Sequence, residues 1–182
     1  PIAEIAVLSD QLGCEQFPGM NYKIMDTETS WLDYSTGSPM RWADPSAPAT
    51  REYHAQIAAE ITAAGFEHIL ITDVIFPNFQ NYDREFIPSR YFASDRYNML
   101  YSVVKAGYMI EMKAGDVISD TYGRTAEVLT DTSQLHNNSI ALVISRNDFP
   151  TESGYPADAG SLVENVLSVA KRKSGGVDIV PV

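Results

Sequence analysis

The chain of 182 residues is 45% hydrophobic and 20% charged, which is typical of one globular domain with a sizeable core rather than of a disordered or fibrous protein. Its 24 acidic residues outnumber its 13 basic ones, and the formal net charge of −11 repels phosphate backbones, so we expect no nucleic-acid partner. No run approaches the roughly 18 apolar residues of a membrane helix, so we expect no membrane insertion.

Apolar runs alternate with helical periodicities along the chain. The predicted strands cover residues 2–8, 69–75, 108–113, 140–145 and 177–180. The predicted helices cover residues 50–64, 89–106, 125–130 and 159–173. Residues 9–48 form a predicted long loop rich in Gly, Pro and Ser, and loops of that length are usually functional or mobile.

The helices carry specific expectations. Thr50 is the predicted N-cap of the first helix, and Gly65 is its predicted stop. The buried stripe of that helix is predicted to be Tyr53, Ile57, Ile61 and Ala64. The inward residues of the second helix are predicted to be Tyr97, Leu100, Tyr101 and Val104. The last helix ends in three basic residues, as the helix dipole prefers.

The alternation of strands and helices predicts an α/β fold with a parallel sheet and helical crossovers. A closed eight-stranded barrel typically needs about 250 residues, so the predicted strands cannot close one. The chain is therefore either an open sheet or an incomplete part of a parallel-stranded (β/α) barrel of the TIM type. Because it starts and stops inside apolar runs, we favour the partial barrel, with residues 1–182 as a single domain and a fragment of a longer (β/α)8 barrel.

Function in parallel α/β folds collects at the carboxyl ends of the strands. The residues predicted at that edge are Ser9, Asp10, Thr72, Asp73, Glu111, Lys113, Arg146, Asn147 and Asp148. Asp73 lies in an otherwise apolar run, and it is either a catalytic carboxylate, the cap of the next turn, or a partner of Arg84 or Arg90. Buried in its strand, Glu111 would either take a raised pKa or pair with Lys113, and the ion pair is the stronger alternative.

The remaining candidates each have two interpretations. Asp10 and Asp148 end strands, where Asp is also common for turn reasons. Trp31, Tyr34 and Trp42 could stack on a pyranose ring, although such aromatic residues more often pin a loop to the body of the domain. The histidines share no metal-ligand spacing and the single cysteine can form no internal disulfide, so we expect no metal site and no cofactor. The compartment stays open, with an extracellular or cell-envelope location among the alternatives.

One stretch, residues 42–77, carries a family resemblance. It contains Trp42-Ala-Asp-Pro45, a helix beginning near Tyr53, and a segment running from Gly65-Phe66 to Phe76-Pro77. In these features the chain resembles the bacterial putative glycosyl hydrolase domain family, (β/α)8 barrels related to the alpha-amylase-like glycosidases. Laid on the family pattern without gaps, the catalytic aspartate at the strand end falls on Thr72 and an arginine falls on Ile75. Asp73 then takes the position of a tyrosine, and a one-residue slip or bulge would restore it to the inner face.

The resemblance implies a glycoside hydrolase-like domain acting on a carbohydrate. Our predicted catalytic pair is Asp73 as nucleophile and Glu111 as proton donor. The predicted substrate contacts are Asp10, Trp42, Thr72, Arg146 and Asp148. Two alternatives stay open. In the first, a catalytically degenerate barrel binds carbohydrate or serves as a scaffold. In the second, an open α/β domain pairs its apolar edges with another chain. If the chain is instead part of a barrel, its edges are expected to pair with the missing barrel segments.

Overall fold

The structure, a computed structural model, describes residues 1–35, 37–118, 134–135 and 137–182. One parallel sheet contains the strands Ile2–Ala6 (β1), His68–Thr72 (β2), Met109–Lys113 (β3), Ser139–Val143 (β4) and Asp178–Pro181 (β5). Its strand order is β1-β2-β3-β4-β5. Right-handed crossovers in sequential order all pass over the same side of a sheet, whereas a doubly wound sheet reverses its order part-way. The fold is therefore α/β with an open five-stranded sheet, consistent with a partial parallel (β/α) barrel.

The described helices are of two types. The α-helices are Gln11–Gln16 (α1), Pro48–Ala63 (α2), Ala114–Ile118 (α3) and Ala159–Lys173 (α4). Short 3-10 helices lie at Pro18–Met20, Asn81–Glu85, Ser89–Phe92, Arg96–Val103, Arg146–Asp148 and Thr151–Ser153. No helix of the described ranges is both long and apolar enough to cross a lipid bilayer.

The two faces of the sheet differ in chemistry. The strand register places Ile5, Ile71, Ile110, Ile140 and Ile179 in one row across the sheet. This row shares a hydrophobic core with Ala58 of α2 and Val166 of α4, so the helices cover that face. The opposite face carries exposed charged side chains, namely Glu4, Glu111, Lys113 and Asp178. We call this second surface the open face.

The predicted loop of residues 9–48 has more structure than expected. It contains α1, a 3-10 turn and three isolated antiparallel bridges, and the first of these bridges pairs Asn21 with Ala43. Trp31 and Trp42 are 6% and 9% exposed, whereas Tyr34 is 60% exposed. The Trp31 indole N–H donates to the buried Asp83 carboxylate at 2.8 Å. Both tryptophans therefore pin the loop to the domain.

The first predicted helix is correct in place, but its cap is wrong and its buried face is only partly as predicted. The helix begins at Pro48 with Ala47 as the N-cap, and proline suits the first helical turn because its missing N–H would be unpaired there anyway. Thr50 lies inside the first turn, and its hydroxyl donates to the carbonyl of Asp44 at 2.8 Å. The fully buried residues are Thr50, His54 and Ala58, while Tyr53 and Ile61 of the predicted stripe are half-buried against the core and Ala64 is exposed. Gly65, with φ 91°, ends the helix as predicted.

The second predicted helix, residues 89–106, is wrong in type. The chain there forms the two 3-10 helices Ser89–Phe92 and Arg96–Val103. At the start of the second 3-10 helix the buried Arg96 turns inward. Its guanidinium donates to the carbonyl of Tyr91 at 2.5 Å and lies 5.2 Å from the Phe76 ring centroid. A charged residue anchored in this way interrupts the helical periodicity.

The later elements agree better with the sequence. The helix predicted at 159–173 is Ala159–Lys173, capped by the Asp158 carboxylate, which accepts from the Ser161 N–H at 2.8 Å. The strands β3, β4 and β5 lie within one or two residues of their predicted bounds. The helix α3 was not predicted, and the helix predicted at 125–130 lies outside the described residues.

Candidate functional site

A cleft opens at the carboxyl ends of β2 and β3. Its lining residues are Asp73, Val74, Ile75, Glu111, Met112, Lys113 and Asp116. Three consecutive pieces of structure supply them: the turn after β2, the end of β3, and α3, which follows β3 directly. Functional groups of parallel α/β folds gather at this edge of the sheet.

The backbone of Asp73 decides how the carboxylate reaches this cleft. The strand predicted at 69–75 ends at Thr72, and Asp73 has φ 54°, in the left-handed region. Among the described non-glycine residues only Asp26 and Asp73 have positive φ, a conformation that Asp tolerates better than most side chains. The left-handed residue breaks the two-residue alternation of the strand. Asp73 therefore lines the same cleft as Glu111, which belongs to the open face.

The partners of Asp73 differ from those that the sequence offered as alternatives. Its carboxylate accepts a hydrogen bond from the Ser9 hydroxyl. The guanidinium of Arg84 lies 4.4 Å from the centroid of the Phe92 ring, and that of Arg90 donates to the Tyr91 hydroxyl at 2.7 Å. Within the described part of the chain neither arginine forms an ion pair with Asp73.

The surroundings of Glu111 change its acidity. Partial burial raises the pKa of Glu111, and the negative charges of Glu4 and Asp73 raise it further, while the positive charge of Lys113 opposes them. The described residues contain no ion pair within 4.0 Å between Glu111 and Lys113, although an ion pair was the stronger expectation. Alternate residues of a strand stand about 7 Å apart along the chain, so the two side chains would have to bend toward each other to pair.

Asp116 is a third carboxyl group in the cleft, and the sequence reasoning missed it. Burial raises the pKa of Asp116, the charge of Asp148 adds to this, and Lys113 opposes it. Asp148 lies beside α3, since a Cβ added at Gly115 would stand 3.4 Å from the Asp148 Cβ. The signal in the sequence was an Asp three residues after the end of the strand and just before an apolar pair, because an acidic residue there favours the first turn of a helix.

The other predicted site residues fall into two groups. Thr72 ends β2 beside the cleft and is buried, and Asp148 adjoins Asp116. None of the five predicted substrate contacts is among the lining residues of the cleft, and the other three, Asp10, Trp42 and Arg146, have contacts elsewhere. The Asp10 carboxylate caps α1 and accepts from the Tyr53 hydroxyl at 2.9 Å. The ring of Trp42 is buried, and the guanidinium of Arg146 donates to the carbonyl of Pro156 at 2.5 Å.

A known protein family matches most of the chain. The family model described as "Putative glycosyl hydrolase domain" matches residues 1–144 of the 182. The chain belongs to this family. The match runs from β1 through β4 and includes the whole lining of the cleft. Both Asp73 and Glu111 therefore lie within the part of the chain that matches the putative glycosyl hydrolase domain.

One solved structure is similar to this family member. It is the crystal structure of a hypothetical protein from Ruminiclostridium thermocellum ATCC 27405, with 21% identity and a TM-score of 0.41. The similarity covers 67% of this chain and 58% of that protein, so the chain spans less than two thirds of the length of that protein. No curated protein matches the chain.

Proposed function

We propose that this domain hydrolyses a glycosidic bond of a carbohydrate, with Asp73 as nucleophile and Glu111 as proton donor. The observation that supports the proposal is the meeting of these two carboxyl groups in one cleft, although they come from different strands. Glycoside hydrolysis in most families uses two carboxyl groups that flank the scissile bond, one of them holding a proton.

The environments of the two groups suit different tasks. Glu111 has a raised pKa and no basic partner within 4.0 Å among the described residues, so it retains a proton to a higher pH than an ordinary glutamic acid does. The Asp73 carboxylate accepts a hydrogen bond from the Ser9 hydroxyl, which holds it at the cleft. A proton donor beside a carboxylate is the arrangement that bond cleavage needs.

The proposed reaction has two steps. In the first, a carboxylate oxygen of Asp73 forms a bond to the anomeric carbon while the glycosidic bond breaks, and Glu111 gives its proton to the departing oxygen. In the second, Glu111 takes a proton from water, whose oxygen attacks the anomeric carbon and releases Asp73. Such a double displacement retains the anomeric configuration. Of the predicted substrate contacts, Thr72 and Asp148 lie beside the cleft, and we propose that they contact the sugar.

The test is hydrolysis of a panel of aryl glycosides by the protein and by Asp73→Asn and Glu111→Gln. We expect the first variant to lose turnover on every substrate that the wild type cleaves. The second should lose most on substrates with poor leaving groups, because a good leaving group departs without a proton. The matched controls are Asp26→Asn, at the other left-handed aspartate, and Glu60→Gln, on the exposed side of α2. Unchanged turnover in both cleft variants would refute the proposal.

A second candidate is a catalytically degenerate domain that binds carbohydrate or serves as a scaffold. The observation in its favour is Ile75, which lines the cleft at the position where the resemblance places an arginine, while Thr72 occupies the position of the family's aspartate. Calorimetric titration with oligosaccharides separates the candidates. Binding without turnover in the wild type, weakened in Asp148→Asn, would favour the degenerate domain.

We also propose that the two free edges of the sheet pair with further barrel segments. In the described residues, β1 pairs with β2 alone and β5 pairs with β4 alone. Apolar side chains stand exposed at both edges: Ile2 is 53% exposed and Val180 is 38% exposed. Unpaired edges of this kind are templates for further strands. Amide hydrogen exchange of β1 and β5 should slow when such segments are supplied, and unchanged exchange would contradict the pairing.

A further inference from the structure

The hydrogen bond between Ser9 and Asp73 joins residues 64 positions apart in the chain. The Ser9 hydroxyl donates to one carboxylate oxygen, Oδ2, and Oδ1 has no hydrogen bond from the described residues. Ser9 follows β1 and Asp73 follows β2, so the contact bridges the carboxyl ends of two neighbouring strands.

The strand register explains why these residues meet. Ala6 pairs with Thr72, and the Val7 N–H still donates to the Thr72 carbonyl at 3.1 Å, so the two strands stay together up to the residue before Asp73. Beyond that point the segments after β1 and β2 leave the sheet, and Ser9 and Asp73 lie side by side at its edge.

The backbone around Ser9 is held on both sides. The carbonyl of Leu8, a fully buried residue, accepts from the Ala43 N–H at 2.9 Å. The Ser9 carbonyl accepts from the Gln11 N–H at 2.9 Å, and Asp10 caps α1. Ser9 therefore sits on a fixed stretch of chain rather than on a free loop.

Ala43 belongs to the segment Trp42-Ala-Asp-Pro45, which is itself anchored. The Asp44 N–H donates to the Met20 carbonyl at 2.7 Å, and the buried Asp44 carboxylate accepts from the Tyr91 hydroxyl at 2.5 Å. A chain of contacts thus runs from this segment through Leu8 to the carboxylate of Asp73.

We propose that Ser9 is a positioning residue that orients the Asp73 carboxylate, and that Trp42-Ala-Asp-Pro45 holds Ser9 in place. The proposal rests on the proposed hydrolase function. Because the hydrogen bond fixes one carboxylate oxygen, the other is free to approach an anomeric carbon. The bond also restricts rotation of the carboxylate group before the reaction begins. Ser9 itself does not touch the reacting atoms.

The test compares Ser9→Ala, Ser9→Thr and the control Ser145→Ala. Ser145 also follows a strand and accepts a local N–H bond, but it has no contact with Asp73. On an aryl glycoside that the wild type cleaves, we expect Ser9→Ala to lower kcat about tenfold, the typical effect of losing one hydrogen bond to a charged group. KM should change less than twofold. Ser9→Thr keeps the hydroxyl and should restore most of kcat, and Ser145→Ala should match the wild type.

A second readout keeps this inference separate from the proposed function. The carboxyl carbon resonance of Asp73, assigned through Asp73→Asn, reports the hydrogen bond without any substrate. We expect it to move in Ser9→Ala and to stay in place in Ser145→Ala. If the resonance moves and no glycoside is cleaved, the hydrolase proposal fails and the orienting contact stands. A resonance that stays in place in Ser9→Ala, or an equal kcat in Ser9→Ala and Ser145→Ala, would overturn the role of Ser9.

Discussion

The left-handed backbone at Asp73 makes a prediction about stability that is independent of catalysis. A side chain with a Cβ costs roughly 1–2 kcal/mol in this region, whereas glycine adopts it freely. Against this, a glycine variant is less stable than an alanine variant by about 0.4–1 kcal/mol, because glycine gives the unfolded chain more conformational freedom. The difference leaves Asp73→Gly more stable than Asp73→Ala by about 0.5–1 kcal/mol, since both variants lose the Ser9 hydrogen bond equally.

Thermal unfolding followed by circular dichroism measures this difference. For a chain of this size, 1 kcal/mol corresponds to about 2–4 °C, so the midpoint of Asp73→Gly should lie about 1–4 °C above that of Asp73→Ala. The same pair at Glu60, exposed within α2, should show the reverse order, because glycine costs about 1 kcal/mol relative to alanine in a helix interior. An alanine variant at position 73 as stable as the glycine variant would refute a left-handed Asp73.

Two further pairs of variants test the cleft and the loop. If Glu111 must carry a proton for turnover, Lys113→Met should move the alkaline limb of the pH–rate profile to higher pH, and Glu4→Gln should move it to lower pH. The reason is that the charge of Lys113 lowers the pKa of Glu111 and that of Glu4 raises it. Shifts of the two variants in the same direction would contradict this. Trp31→Phe should cost about 1–3 kcal/mol more in urea denaturation than Trp42→Phe, because it leaves a buried carboxylate short of a donor. The Trp42 indole N–H has no hydrogen-bond partner among the described residues, so equal costs would show that the Trp31 hydrogen bond contributes little.

The sequence predicted the sheet and the last helix well because their signals are local. Ala159–Lys173 has an Asp cap, a strong apolar stripe and a basic end, and all three depend on nearby residues only. The face of α2 could not be found in the same way. The buried Thr50 and His54 bind the carbonyls of Asp44 and Val7, 6 and 47 positions away in the chain, and such polar contacts leave no trace in an apolar periodicity.

The sequence selected part of the lining of the cleft but not its geometry, and the roles of those residues stay predictions. Strand-end placement was enough to select Asp73 and Glu111, which line one cleft. In a regular strand over residues 69–75, Asp73 would lie on the face opposite to Glu111. The positive φ at Asp73 changes this, and no glycine in the sequence indicates it. The sequence reasoning missed Asp116 because it did not predict α3, the short helix that brings Asp116 to the cleft.

The sequential order of the strands has a consequence for how the domain is made. Each new strand adds to the edge that the previous one has left, so no strand has to insert between two that are already paired. During synthesis, β1 and β2 can therefore pair as soon as β2 has emerged, and each later strand extends a sheet that already exists. The cleft between the turn after β2 and the end of β3 would then be complete before β4 and β5 leave the ribosome.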